Sequence, residues 1–129
     1  MESKVSKYIK YIGIPFHKLD CFNLTKLIFE ENFNIAILDT NIKHYESDLI
    51  NQSYLSEVDK WVKVEEPLEG CIMAIRLDSN YPNLVTHFAY CINDKYMIHT
   101  TEKTGCIVEN ISKYYRLSSG FYRHKDLES

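Results

Sequence analysis

At 129 residues with a net charge of −3, the chain can bury one substantial core and carries no positive field that would argue for nucleic acid. A composition of 45% hydrophobic and 26% charged residues is that of a soluble globular protein, and one domain over residues 1–129 is expected. No apolar run approaches the roughly 20 residues of a membrane span.

The first residues, Met1 to Tyr8, lack the apolar core of a signal peptide, so folding in a cytoplasm is expected. Residues 3–12 place Val5, Tyr8, Ile9 and Ile12 at helical spacing, and Gly13 and Pro15 then break the chain. Asp20 is the N-cap of a second helix running from about Cys21 to Asn32. Leu24, Leu27, Ile28 and Phe29 fill most of its circumference, against a polar wedge of Asn23, Lys26 and Glu30, which makes it a mostly buried helix. Residues 33–42 read as a loop with a brief extended stretch. From His44 to Trp61, the spacing of Tyr45, Leu49, Leu55, Val58 and Trp61 predicts helix, interrupted near Gln52-Ser53.

The second half changes character. Cys71–Leu77, Val85–Ile92, Lys95–Thr100 and Cys106–Ile111 read as strands, and a last one covers Tyr114–Arg123 in one or two pieces. Turns fall at Glu69-Gly70, Asp78–Asn83, Asn93-Asp94 and Lys103–Gly105. Helices followed by a meandering antiparallel sheet define an α+β domain.

Of the four cysteines, none forms a C-x-x-C pair, so no structural zinc site is expected. Cys71, Cys91 and Cys106 sit in apolar strand-like runs and read as small core residues. Cys21 differs because it opens a helix. His17, His44 and His124 have no supporting context and read as surface residues, whereas His87 and His99 lie on one predicted hairpin. Residues directly opposite in an antiparallel pair share a face. Opposition of the two histidines requires a hairpin centred on Asn93, with an odd loop of Ile92, Asn93 and Asp94. A two-residue Asn93-Asp94 turn would put them on opposite faces.

A cysteine at a helix start facing imidazoles on a sheet is the minimal machinery of a thiol hydrolase. Cys21 is the candidate nucleophile, its thiolate favoured by the helix N-terminus and by a neighbouring imidazolium. His87 takes the thiol proton and returns it to the leaving amine, and His99 orients His87. The backbone N–H of Cys21 is a candidate oxyanion donor. A zinc site built on Cys21, His87 and His99 is the alternative that spacing leaves open.

Tyr11-Ile12-Gly13-Ile14-Pro15-Phe16, followed by Asp20-Cys21 and an apolar helix, resembles the start of the NlpC-type cell-wall peptidases, a papain-like family. The phage tail versions are the nearest in pattern. The segment from Trp61 to Gly70 resembles the approach to that family's first core strand, Thr86-His87-Phe88-Ala89-Tyr90 its histidine strand, and Gly120-Phe121-Tyr122-Arg123 its closing strand. The resemblance implies a papain-like α+β fold with a Cys21, His87 and His99 triad. It also implies hydrolysis of the D-glutamyl–diamino acid amide bond in peptidoglycan stem peptides, without metal or organic cofactor. Asp20 and Phe16 are the implied substrate or oxyanion contacts; Phe16 stands where the family often has a tyrosine. The resemblance further implies a virion component of the phage tail, working beside other tail or baseplate proteins. A structural tail or baseplate adaptor that keeps the fold is the competing reading, and ten tyrosines with Trp61 would suit such an interface.

Overall fold

In a computed structural model that describes residues 4–35 and 61–127, the chain opens with a 3-10 helix, Lys4–Tyr11, in place of the expected α-helix. The tighter helix repeats every three residues, so Tyr8 and Tyr11 share one face and are buried. Ile9 and Ile12, placed on the apolar face by a 3.6-residue period, point outward at 58% and 44% exposed. The Tyr8 hydroxyl lies 2.7 Å from that of Tyr90 deep in the core, and the Tyr11 hydroxyl donates to Glu31.

Helix α1, Cys21–Phe33, begins and ends close to where its caps predict. The Asp20 carboxylate accepts from the Asn23 backbone N–H at 2.9 Å, and Asn34 closes the helix in the left-handed conformation. Its buried positions, Cys21, Leu24, Thr25, Ile28 and Phe29, follow the i, i+3, i+4, i+7, i+8 stripe of a helix lying on a sheet. Leu27 is only partly buried, so the apolar face is narrower than composition suggests. The helix predicted from His44 onward, most of the preceding loop, and His44 itself lie outside the described residues.

Among the described residues, six strands form one antiparallel sheet. In chain order they are β1 Trp61–Val64, β2 Cys71–Ile75, β3 His87–Cys91, β4 Tyr96–Thr101, β5 Gly105–Asn110 and β6 Ser118–His124. Their spatial order is β1-β6-β2-β3-β4-β5. The domain is therefore α+β, as expected. Three corrections concern its edges. Trp61 starts a strand instead of ending a helix, because β6 returns to pair with it, Trp61 facing His124 and Val64 facing Phe121. The region read as a strand from Tyr114 is first a 3-10 helix, Ile111–Leu117, and only then β6. That return also buries His124, read as a surface residue, against the edge of Trp61 with ring centroids 4.8 Å apart. His17 is exposed as expected.

β2 and β3 are buried on both faces, which is why they read as continuous apolar runs. Ile72, Ala74, Phe88, Tyr90 and Ile98 face α1. Cys71, Met73, Ala89, Cys91 and Met97 face the opposite layer, covered in part by Ile111 and Tyr114 of the 3-10 helix. The chain between the first helix and α1 is tied to β5 by two backbone bonds of 2.9 Å, Gly13 N–H to Cys106 O and Cys106 N–H to Ile14 O. Gly105 permits this approach: its φ is +66°, and a Cβ there would sit 2.9 Å from the Ile14 carbonyl oxygen. This tie positions Phe16 and the start of α1 over the sheet.

Candidate functional site

Cys21 is the first residue of α1 and is 1% exposed. Burial pushes its thiol up to about 12; the backbone N–H of Phe88 on β3 pulls the other way, and the Asp20 charge adds to the rise. The expected lowering by the helix start is outweighed by desolvation, and the thiol is neutral in this state. Iodoacetamide is accordingly expected to modify Cys21 slowly at pH 6, with a rate that climbs above pH 8; mass mapping against buried Cys71, Cys91 and Cys106 reads this out. Labelling of Cys21 as fast at pH 6 as at pH 8 would show a stabilised thiolate instead.

The hairpin of β3 and β4 has the odd loop expected, but one residue further along. Tyr90 pairs with Ile98 and Cys91 with Met97, so the centre is Asp94 and the loop is Asn93-Asp94-Lys95. The Asn93 carboxamide oxygen caps it, accepting from the N–H groups of Lys95 and Tyr96 at 2.8 Å each. His87 and His99 therefore share a face but sit one diagonal step apart instead of directly opposite. A diagonal step is within reach of long side chains, and His87 Nε2 lies 2.7 Å from His99 Nδ1.

A further residue joins them that the sequence reading missed. His99 Nε2 lies 2.7 Å from Glu109 Oε1 on β5. On that ladder Met97 faces Glu109 and His99 faces Ile107, so the contact is again diagonal. Extending the register arithmetic across the Glu102–Thr104 turn would have found it, since a carboxylate on the same strand face as His99 is the signal. Glu109 also accepts from Lys113 Nζ and, at 3.0 Å, from the Tyr114 hydroxyl. Burial works against its charge, but the bonds from Lys113, His99 and Tyr114 outweigh it and hold the carboxyl down at about 2. His99 is fully buried, and that burial lowers its pKa below the ordinary 6.5 despite the neighbouring carboxylate.

A cavity of about 240 Å³ lies over these strand ends, lined by Phe16, Cys21, Thr86, His87, Thr100 and Asp78 among others. Neighbouring residues such as Thr86 and His87 both reach it, so it wraps the end of the sheet instead of resting on one face. Of the expected site residues, Cys21, His87 and Phe16 line this cavity; His99 stands behind His87. Asp20 is not among the lining groups, and its carboxylate is engaged with the Asn23 backbone and side-chain amides. The Thr100 hydroxyl, buried at the cavity wall, has no hydrogen-bond partner among the described residues. Among the described residues no three His, Cys, Asp or Glu side chains are grouped as metal ligands, and no helix is long and apolar enough to cross a membrane.

No protein-family model and no curated protein matches this chain.

Proposed function

We propose that the chain is a thiol hydrolase of the NlpC-type papain-like kind that cuts the D-glutamyl–diamino acid amide bond of peptidoglycan stem peptides. The observation that carries this reading is one cavity lined by both the Cys21 helix start and His87, with His99 hydrogen-bonded behind His87 at 2.7 Å. In the reaction, His87 removes the thiol proton as the sulfur attacks the scissile carbonyl. The oxyanion takes the backbone N–H of Cys21, which opens the helix and points away from its hydrogen-bonded turns. Collapse of the tetrahedral species breaks the C–N bond, and His87 returns the proton to the leaving amine. Water then hydrolyses the thioester and restores the thiol. No cofactor enters these steps.

The same reading places the protein in a phage tail, where it opens the wall beside other tail or baseplate proteins. A second reading, a catalytically silent tail adaptor, is favoured by the 1% exposure of Cys21. Incubating the protein with purified stem tetrapeptides and weighing the products separates the two. Two fragments whose masses together exceed the peptide by one water are expected; intact peptide alongside folded protein would favour the adaptor.

A further inference from the structure

We propose that Glu109 is a positioning residue that sets which ring nitrogens of His99 and His87 carry protons, and so leaves Nδ1 of His87 as the base. The role as base rests on the hydrolase reading; the proton arrangement does not.

A chain of contacts crosses three neighbouring strands, β3, β4 and β5. Glu109 is held as a carboxylate by Lys113 and the Tyr114 hydroxyl, and an ionised carboxylate only accepts. His99 Nε2, 2.7 Å from Glu109 Oε1, must therefore carry the hydrogen. A buried, neutral His99 then has its lone pair on Nδ1. The group 2.7 Å from that lone pair is His87 Nε2, which must donate. In a neutral His87 ring, Nδ1 is what remains to accept a proton. Each hydrogen bond dictates the next, and the whole order starts from one carboxylate. A charge-bearing orienter behind a histidine is a general device for holding one tautomer and direction of donation.

The groups facing Glu109 act in one sense. Lys113 neutralises it from the 3-10 helix, Tyr114 donates to it, and the Tyr114 ring packs edge-on against His99 with centroids 5.3 Å apart. The carboxylate is thus both fixed in place and only 14% exposed, so water does not compete freely for its oxygen.

The test uses 15N-labelled protein and long-range proton–nitrogen NMR of the histidine rings at pH 7.5, which needs no turnover. In the wild type both His99 and His87 are expected as Nε2–H tautomers. Glu109→Gln keeps an oxygen that accepts, so it should preserve them, while loss of the charge should move the His99 titration midpoint to lower pH. Glu109→Leu removes the acceptor and should leave His99 a mixture of tautomers, with kcat down at least about tenfold and KM little changed. Unchanged tautomers in Glu109→Leu would overturn the proposal. If that variant does not fold, an unmoved His99 midpoint in Glu109→Gln does the same. The expected tautomers in a wild-type protein that cuts no stem peptide would instead sink the hydrolase reading and leave the proton arrangement standing.

Discussion

Replacing Cys21 with alanine is expected to abolish hydrolysis, by on the order of 10³-fold or more, while the protein stays folded. Among the described residues that line the cavity, Cys21 carries the thiol, a far better nucleophile near neutral pH than the hydroxyls of Thr86, Thr100 and Thr101 beside it. Its removal deletes one small buried atom at the first position of α1, a loss of about 1 kcal/mol, so the melting temperature should fall only slightly. His87→Ala should be nearly as damaging, because among the described residues that line the cavity His87 supplies the imidazole that takes and returns the thiol proton. His99→Ala should retain part of the activity, since His99 acts only through His87. Product release from stem peptides together with thermal melts of the three variants checks this. Equal losses in His87→Ala and His99→Ala would undo the separation of roles, and collapse of the fold in Cys21→Ala would make the cysteine a core residue.

The largest effect on stability is expected from Phe29→Ala. The ring is fully buried where α1 meets the sheet, and it touches aromatic partners from three elements. Its centroid lies 5.4 Å from Phe33, 5.5 Å from Trp61 and 5.8 Å from Tyr90, with Trp61 and Tyr90 meeting it edge to face. Truncation costs about 3–5 kcal/mol, from lost transfer energy and a cavity that neighbours on separate strands cannot close. A domain of this size has roughly 5–15 kcal/mol in all. The melting temperature should therefore drop by about 10–20 °C, measured by circular dichroism. A drop of only a degree or two would mean that α1 does not seat Phe29 in the core.

Acidity offers a milder check on the buried histidine. The folded pKa of His99 is depressed, so the unfolded chain takes a proton first as pH falls below its ordinary 6.5. That contribution to stability is present above 6.5 and is lost on acidification from there.

Local chemistry was legible wherever it was self-contained. Asp20, the run Cys21 to Phe33 and its cap carry their own instructions, because a helix closes its hydrogen bonds within a few residues. The central strands were legible as apolar runs, and the odd loop of the β3–β4 hairpin followed from wanting both histidines on one face. The one-residue shift in its centre was not legible, because Asn93 caps the turn from its first position, and side-chain capping is not visible in hydrophobic pattern. The first helix misled for a related reason. Tyr8 and Tyr11 fit a period of three, and the groups their hydroxyls meet, Tyr90 and Glu31, lie on other elements.

By itself, then, the sequence determined an α+β domain, the capped helix that starts at Cys21, and the candidacy of Cys21, His87 and His99. Only the tertiary structure decided that His124 is buried, that Trp61 begins an edge strand, that the Cys21 thiol is desolvated, and that Glu109 stands behind His99. Each of these depends on which strands lie side by side. Strand order is set by long-range pairing, most of all by β6 returning between β1 and β2, and no periodicity along the chain records it.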